Sequence, residues 1–373
     1  MQQCDSMQRY SAKENYPNYT GFKCKVAGHL TLEMYEKLYS RRTKNGVTVD
    51  KVIQPSCDNM GEIIGLIAAD EESYTTFGEL FDAVINEKHG GFGPNDKHPQ
   101  PDLDASKLVG GNFEGKYIKS CRIRTGRSLR GCCFPPALCR AERREVEKVM
   151  VAALQGLSGN LAGKYFPLTG MTKAEEQALI DDHFLFQKPT GHLMQNSSSA
   201  RDWPDARGIF HNNEKTFLIW INEEDHYRVI SMEKGGNVRS VFERFSRGLQ
   251  EIEGLMKKAG REFMLSDRLG YLCACPSNIG TGLRASVHIQ LHKLCKHPKF
   301  EAIITALSLQ MRGTGGEHTA AVDDVYDISN RARLKCTERE FVQLLIDGVT
   351  KLIEMETTLE AGKPIDSLLP PGV

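Results

Sequence analysis

Two glycine-rich stretches, CPSNIGTGLR (275–284) and RGTGGEHTA (312–320), each carry an arginine, Arg284 and Arg312. Neither runs into G-K-[ST] and neither is GxGxxG, so neither is a Walker A loop or a dinucleotide fingerprint. More arginines stand in CRIRTGR (121–127), where Arg122 and Arg124 alternate and so share one face of an extended strand. Arg228 follows the acidic stretch NEEDH (222–226). Guanidinium forks pair bidentately with phosphate oxygens, so arginines fixed at strand ends and glycine turns suit a polyanion. With 48 Lys+Arg against 48 Asp+Glu the chain is neutral overall. That excludes the basic excess of a nucleic-acid or membrane-surface protein and points to a compact triphosphate. Glu223, Glu224 and Asp225 of NEEDH lie between two apolar segments, where a carboxylate could steer a cationic nucleophile. Glu317, in the second glycine stretch, could supply another.

The elements that must position these groups change character along the chain. The first hundred residues read as helices, among them 32–39 and 77–84. The segment 89–111, dense in Gly, Pro, Asn and Asp, reads as a linker. Beyond it TFLIWI (216–221), RVISM (228–232), YLCAC (271–275) and VHIQL (287–291) are short, apolar and β-prone. Only NEEDHY joins the first two, too short for a parallel crossover, so they pair antiparallel. Val238, Val241, Phe245, Leu249, Ile252 and Met256 recur at helical spacing over 237–259. Thr172 with Glu175 and Thr337 with Glu340 fit capping boxes that open helices at 172–182 and 337–359. The expected fold is α+β: a small all-helical domain (1–100), then a larger domain (101–373) with a mainly antiparallel sheet flanked by helices.

The 373 residues are 40% hydrophobic and 26% charged, an ordinary globular composition. No apolar run approaches the ~18 residues of a membrane span, and the polar N-terminus carries no signal pattern. Eleven scattered cysteines, an odd number, read as reduced thiols of a cytoplasmic protein. Cys132/Cys133 and Cys273/Cys275 lack zinc-site spacing, so no protein metal ligand is expected.

At this point CPSNIGTGLRASVH (275–288), NEEDHYRVISM (222–232), RDWPDARGIFHN (201–212) and RGTGGEHTA (312–320) together resemble the phosphagen (guanidino) kinases, the creatine and arginine kinase family. The resemblance spans nearly the whole chain and implies reversible transfer of the ATP γ-phosphoryl group to a guanidino nitrogen, with Mg2+. It implies that Arg122, Arg124, Arg228, Arg284 and Arg312 clamp the nucleotide phosphates, with Asp327 also at the nucleotide site and His183 and His288 near adenine and ribose. Glu224 would hold the guanidinium and act as the base, and Cys275 would be a reactive thiol beside it.

The guanidine itself is marked by conflicting signals. Glu317 resembles the arginine kinases, since creatine kinases place an aliphatic residue there. The segment 55–70 is short, as in arginine and lombricine kinases, and leaves room for a large guanidine. Glu62, Ile63 and Ile64 depart from the small Ser/Gly pattern that receives arginine's carboxylate, Gly65 belongs to the same specificity segment, and Lys88, before HGG, resembles the lombricine kinases. RDWPDARG and CRAERREVEKV (139–149) resemble the dimeric creatine-kinase branch, which implies a homodimer. Together these point to lombricine, with arginine or taurocyamine as alternatives. An inactive nucleotide-binding scaffold would lack a clamp arginine, Glu224 or Cys275, and none is missing.

Overall fold

The computed structural model describes residues 10–61, 63–181, 184, 186, 188, 189, 192–314 and 321–373. Ser11, Thr31 and Thr48 each accept a hydrogen bond from the backbone N–H three residues on, opening the helices Ala12–Asn15, Leu32–Tyr39 and Val49–Asp58. The helix expected over 77–84 runs from Gly78 to Lys88. Its polar last turn, which has no apolar period to announce it, is held through Glu87 by Lys25 and His29, the latter at 2.8 Å. Among the described residues no strand precedes Asn112.

The larger part is built on eight strands. They are β1 (Ile118–Arg127), β2 (Gly163–Pro167), β3 (Gly208–Asn212), β4 (Phe217–Ile221), β5 (Tyr227–Lys234), β6 (Arg284–Gln290), β7 (Leu309–Arg312) and β8 (Val325–Asn330). They form one sheet in the order β7-β8-β6-β1-β5-β4-β3-β2, every neighbouring pair antiparallel. The capping box at Thr337 opens the helix Glu338–Glu360, and that at Thr172 precedes Lys173–Asp181. The helix Val238–Lys258 starts at Asn237, whose side chain accepts from the Ser240 N–H at 3.0 Å. Its buried stripe packs on the strands β1 and β5 and shares one core with Cys121, Ile123 and Val229. Gly248 is required there, because a Cβ would stand 2.3 Å from the Phe217 ring. No helix among the described residues is long and apolar enough to cross a membrane.

The segment YLCAC is not a strand throughout. Only Gly270–Tyr271 pairs, and the chain from Leu272 to Cys275 is irregular. Its carbonyls are satisfied by the small domain instead: Ala274 O accepts from Ala68 N–H at 2.7 Å and Cys273 O from the Tyr74 hydroxyl at 2.6 Å. A short apolar run cannot announce this, because burial beneath a neighbouring domain selects the same residue types as burial in a sheet. Met264, Leu269, Leu272, Ala274, Cys275 and Ile279 accordingly share one hydrophobic core with Phe77, Phe81 and Ile85 of the small domain. A buried side chain of the Leu, Ile or Met type contributes roughly 1.5–3 kcal/mol. Four of them at this seam rival the net stability of a typical domain, so the chain that carries Cys275 is fastened to both halves.

The segment 89–111 contains no α-helix or β-strand, in keeping with a linker, but it is strapped down. His98 N–H donates to Arg268 O at 2.8 Å, and Asp102 accepts from Arg339 at 2.7 Å.

Candidate active site

Strand alternation sorts the residues of β1 onto two faces. Cys121 and Ile123 point into the helical core, and Ser120, Arg122 and Arg124 to the other side. In β6, Ala285, Val287 and Ile289 are core, which leaves Arg284, Ser286 and His288 on the second face. Antiparallel register then assembles rows across that face. Arg284 lies opposite Arg124, and Ser286 opposite both Arg122 and Ser329. His288 lies opposite Ser120 and Asp327, and Asp327 opposite Arg312 on β7. On the other flank Arg228 is opposite Gly126 and Trp220. The guanidiniums of Arg122 and Arg228 sit 5.5 Å and 5.7 Å from the Trp220 ring centre, one aromatic ring serving two cations.

This crowding of like charge is electrostatically costly. Burial, then Arg228, Arg122 and Arg284, push the Arg124 pKa well below the usual guanidinium range. Burial, then Arg228 and Arg284, bring Arg122 down to about 10. Buried donors are left over: Nε and Nη2 of Arg122 and Nε of Arg284 have no hydrogen-bond partner among the described residues. A bound polyanion removes both penalties at once, since it pairs the donors and offsets the repulsion.

The acidic stretch forms the turn between β4 and β5. Glu223 meets Arg228 Nη1 at 2.8 Å, Glu224 pairs with Arg228 Nη2, and the Asn278 amide donates to Glu224 Oε1 at 3.0 Å. Burial works against the Glu224 charge, but Arg228, Arg124 and Arg333 outweigh it and hold the carboxyl below the usual glutamate range. Asp225 accepts from the Ala274 N–H at 2.7 Å, while its Oδ2 is buried with no partner among the described residues. Burial, then Glu224, push Asp225 up to about 7.

A cavity of about 250 Å³ gathers these groups. Of the residues singled out in the sequence, Arg124, Arg228, Arg284, Arg312, Glu224, Cys275, Ile63, Ile64 and Lys88 all line it. Arg122, His288 and Asp327 continue the same sheet face beyond its lining. Gly65 lies under the 63–64 segment with φ +74°, where a Cβ would stand 2.6 Å from the Ser56 Cβ. Glu62, His183 and Glu317 lie outside the described residues.

Comparison with known proteins bears on this arrangement directly. The ATP:guanido phosphotransferase C-terminal catalytic domain model matches residues 145–359, and the N-terminal domain model of the same family matches 22–86. A lombricine kinase of Eisenia fetida is 70% identical over 366 residues, covering 98% of this chain and 99% of the relative. The chain belongs to the ATP:guanido phosphotransferases. A glycocyamine kinase of Hediste diversicolor is 58% identical over 364 residues, covering 96% and 92% of the two chains. A crystal structure of lombricine kinase matches with a TM-score of 0.95 at 72% identity, covering 97% of this chain and 100% of that one. The protein is therefore a phosphagen kinase, an enzyme of ATP and a guanidino substrate.

In this ATP:guanido phosphotransferase Cys275 is buried beside the acidic turn, with its Sγ 3.0 Å from the Ser277 hydroxyl. Burial, then Glu224, push the thiol up to about 12, whereas the Ser277 hydroxyl and N–H pull it down. Ser277→Ala is accordingly expected to raise the thiol pKa further. Peptide-resolved alkylation of Cys275 at fixed alkaline pH should slow by about ten-fold, the equivalent of one hydrogen bond to a charged group. An unchanged rate would remove Ser277 from control of the thiol.

Sequence reasoning missed Arg331, Arg333, Ser277 and Asn278, all of which line the cavity. Arg333 Nη1 donates to Ser277 O at 2.8 Å and so props the turn that carries Cys275. A signal existed for the arginines: RAR at 331–333 repeats the spacing of RIR at 122–124. Asn278 had none, because its contact with Glu224 joins positions 54 residues apart.

Proposed function

We propose that this phosphagen kinase phosphorylates lombricine, for cellular energy buffering. One observation carries the reading: Lys88 and Ile63–Ile64 of the small domain line the same cavity as Glu224 and Cys275. A guanidine seated on Glu224 therefore presents its far end to a cation and two aliphatic side chains. Lombricine, whose tail bears a phosphodiester, offers the anion that Lys88 complements. The 70% identical lombricine kinase supports the same choice.

In this reading Arg122, Arg124, Arg228, Arg284 and Arg312 hold the phosphates, with Asp327 orienting Arg284 through a 2.8 Å bond. His288, opposite Asp327, and His183 are proposed to lie toward the nucleoside. A loose phosphoryl-transfer transition state spreads charge over equatorial oxygens, which fixed arginines stabilise without reorganisation. Holding both substrates in line accounts for roughly 7–11 kcal/mol of barrier lowering.

Glu224 orients the guanidinium. Its lowered pKa cannot strip a proton from a group whose pKa exceeds about 12. The proton instead passes to it as the nitrogen lone pair forms the P–N bond and the bond to the departing ADP oxygen breaks, which acidifies the nitrogen. Glu317 is proposed as a second carboxylate on the guanidine. Cys275 lies against the same substrate end, with Glu62 and Gly65 belonging to the specificity segment.

The residues fit Mg2+ carried on the nucleotide. The Asp225 Oδ2, which has no partner among the described residues, suits a water bound to the metal. When bound, magnesium neutralises charge on the transferring phosphoryl group. The ten cysteines among the described residues are free thiols, which supports a cytoplasmic location. We propose a domain boundary near residue 100. The RDWPDARG segment supports a homodimer, and sedimentation at monomer mass would remove that part.

The deciding experiment measures turnover of lombricine, taurocyamine, arginine, glycocyamine and creatine under equal conditions. Lombricine is expected to lead glycocyamine and creatine by about ten-fold or more in kcat/KM, and Lys88→Ala to erase most of that lead. Preferred turnover of creatine or glycocyamine would overturn the lombricine reading while leaving the enzyme class intact.

A further inference from the structure

We infer that Arg331 is a further anion-binding residue of this active site, reaching the nucleotide phosphates from the end of β8 beyond the five clamp arginines. The inference rests on the proposed phosphate clamp and extends it.

Arg331 directly follows β8. The last paired position of β8 on β6 is Ser329 opposite Ser286, two residues before Arg331 on one strand and two after Arg284 on the other; Arg284 itself lies opposite Arg124. Arg331 lines the cavity together with Arg284, Arg312, Arg333 and Gln310. Its backbone is fixed, because its N–H donates to Ser308 O at 3.2 Å. Its side chain is exposed and tethered at one point, Nη2 donating to Thr305 Oγ1 at 3.1 Å. No carboxylate pairs with it among the described residues, and Nε and Nη1 make no hydrogen bond there.

Its neighbour Arg333 faces inward and is committed to Ser277 O at 2.8 Å. Arg331 is therefore the arginine of this pair that can meet an incoming anion at the mouth. An exposed cation at the rim of a positive cleft concentrates anions and speeds their capture, and its effect is screened by salt. The fixed backbone holds Arg331 at the rim of the cavity, unlike an arginine on a mobile surface loop.

The test is calorimetric ADP binding with magnesium, at low and at physiological ionic strength, for wild type, Arg331→Gln, Arg124→Gln and Thr305→Ala. Arg331→Gln is expected to weaken ADP by about three- to ten-fold at low salt, less at high salt, with the guanidine KM unchanged. Thr305→Ala, which keeps the charge and frees the tether, should stay within about two-fold of wild type. Unchanged ADP affinity in Arg331→Gln would overturn the inference, as would a change confined to the guanidine KM, which would assign Arg331 to the acceptor's tail. If Arg124→Gln weakens ADP and Arg331→Gln does not, only this inference falls. If neither does, the clamp reading falls with it.

Discussion

Glu224→Gln lowers kcat by roughly two to four orders of magnitude, the range expected for losing an oriented carboxylate that also receives the reaction's proton. ADP affinity stays near wild type. The expectation follows from how Glu224 is held. Arg228 and the Asn278 amide fix both its oxygens in a buried turn, so its geometry does not depend on substrate. The glutamine keeps the shape, and it places an N–H where a guanidinium N–H must point. Arg228 retains Glu223 at 2.8 Å, so the phosphate-facing arginine stays anchored and the fold is not left with an unpaired buried cation. Steady-state kinetics beside calorimetric ADP binding separates the two effects. A kcat within ten-fold of wild type would mean that the arginines and magnesium alone orient the acceptor.

Arg284→Gln is the second large effect. The guanidinium donates to Asp327 Oδ2 at 2.8 Å, while its Nε and the Asp327 Oδ1 have no partner among the described residues. Losing one preorganised donor of this kind costs about 100- to 1000-fold in rate. Here the loss also leaves Asp327 as a buried carboxylate facing incoming phosphates. An uncompensated buried charge destabilises a protein by roughly 3–5 kcal/mol, so the melting temperature falls as well. The double variant Arg284→Gln/Asp327→Asn removes that charge. It is expected to recover most of the lost stability and little of the kcat/KM for ATP. Recovery of activity in the double variant would show that Arg284 serves only to neutralise Asp327, and the phosphate clamp would need another centre.

Local order carries a long way in this chain. Arg122 and Arg124 could be placed on one face because a strand alternates with a period of two, a property of three consecutive residues. The capping boxes at Thr172 and Thr337 and the apolar stripe of 238–258 are likewise local, and each opens or lines a helix at the expected place. The motifs 222–232, 275–288 and 312–320 carried the family resemblance for the same reason. YLCAC failed because its partners are Ala68 and Tyr74, some two hundred residues earlier, and nothing within five residues records them.

The amino-acid order by itself determined which side chains of this kinase could do the chemistry: arginines at strand ends, a carboxylate run between strands, a thiol opening a glycine turn. Only the tertiary structure decided which of them meet. Arg284 faces Arg124 because β6 pairs with β1, Asn278 reaches Glu224 across a turn, and Lys88 joins the cavity because the small domain packs on the chain around Cys275. Strand register and domain packing are set by the burial of distant apolar faces against one another, and a guanidinium or carboxylate acquires its neighbours, and with them its pKa, only after those faces have closed.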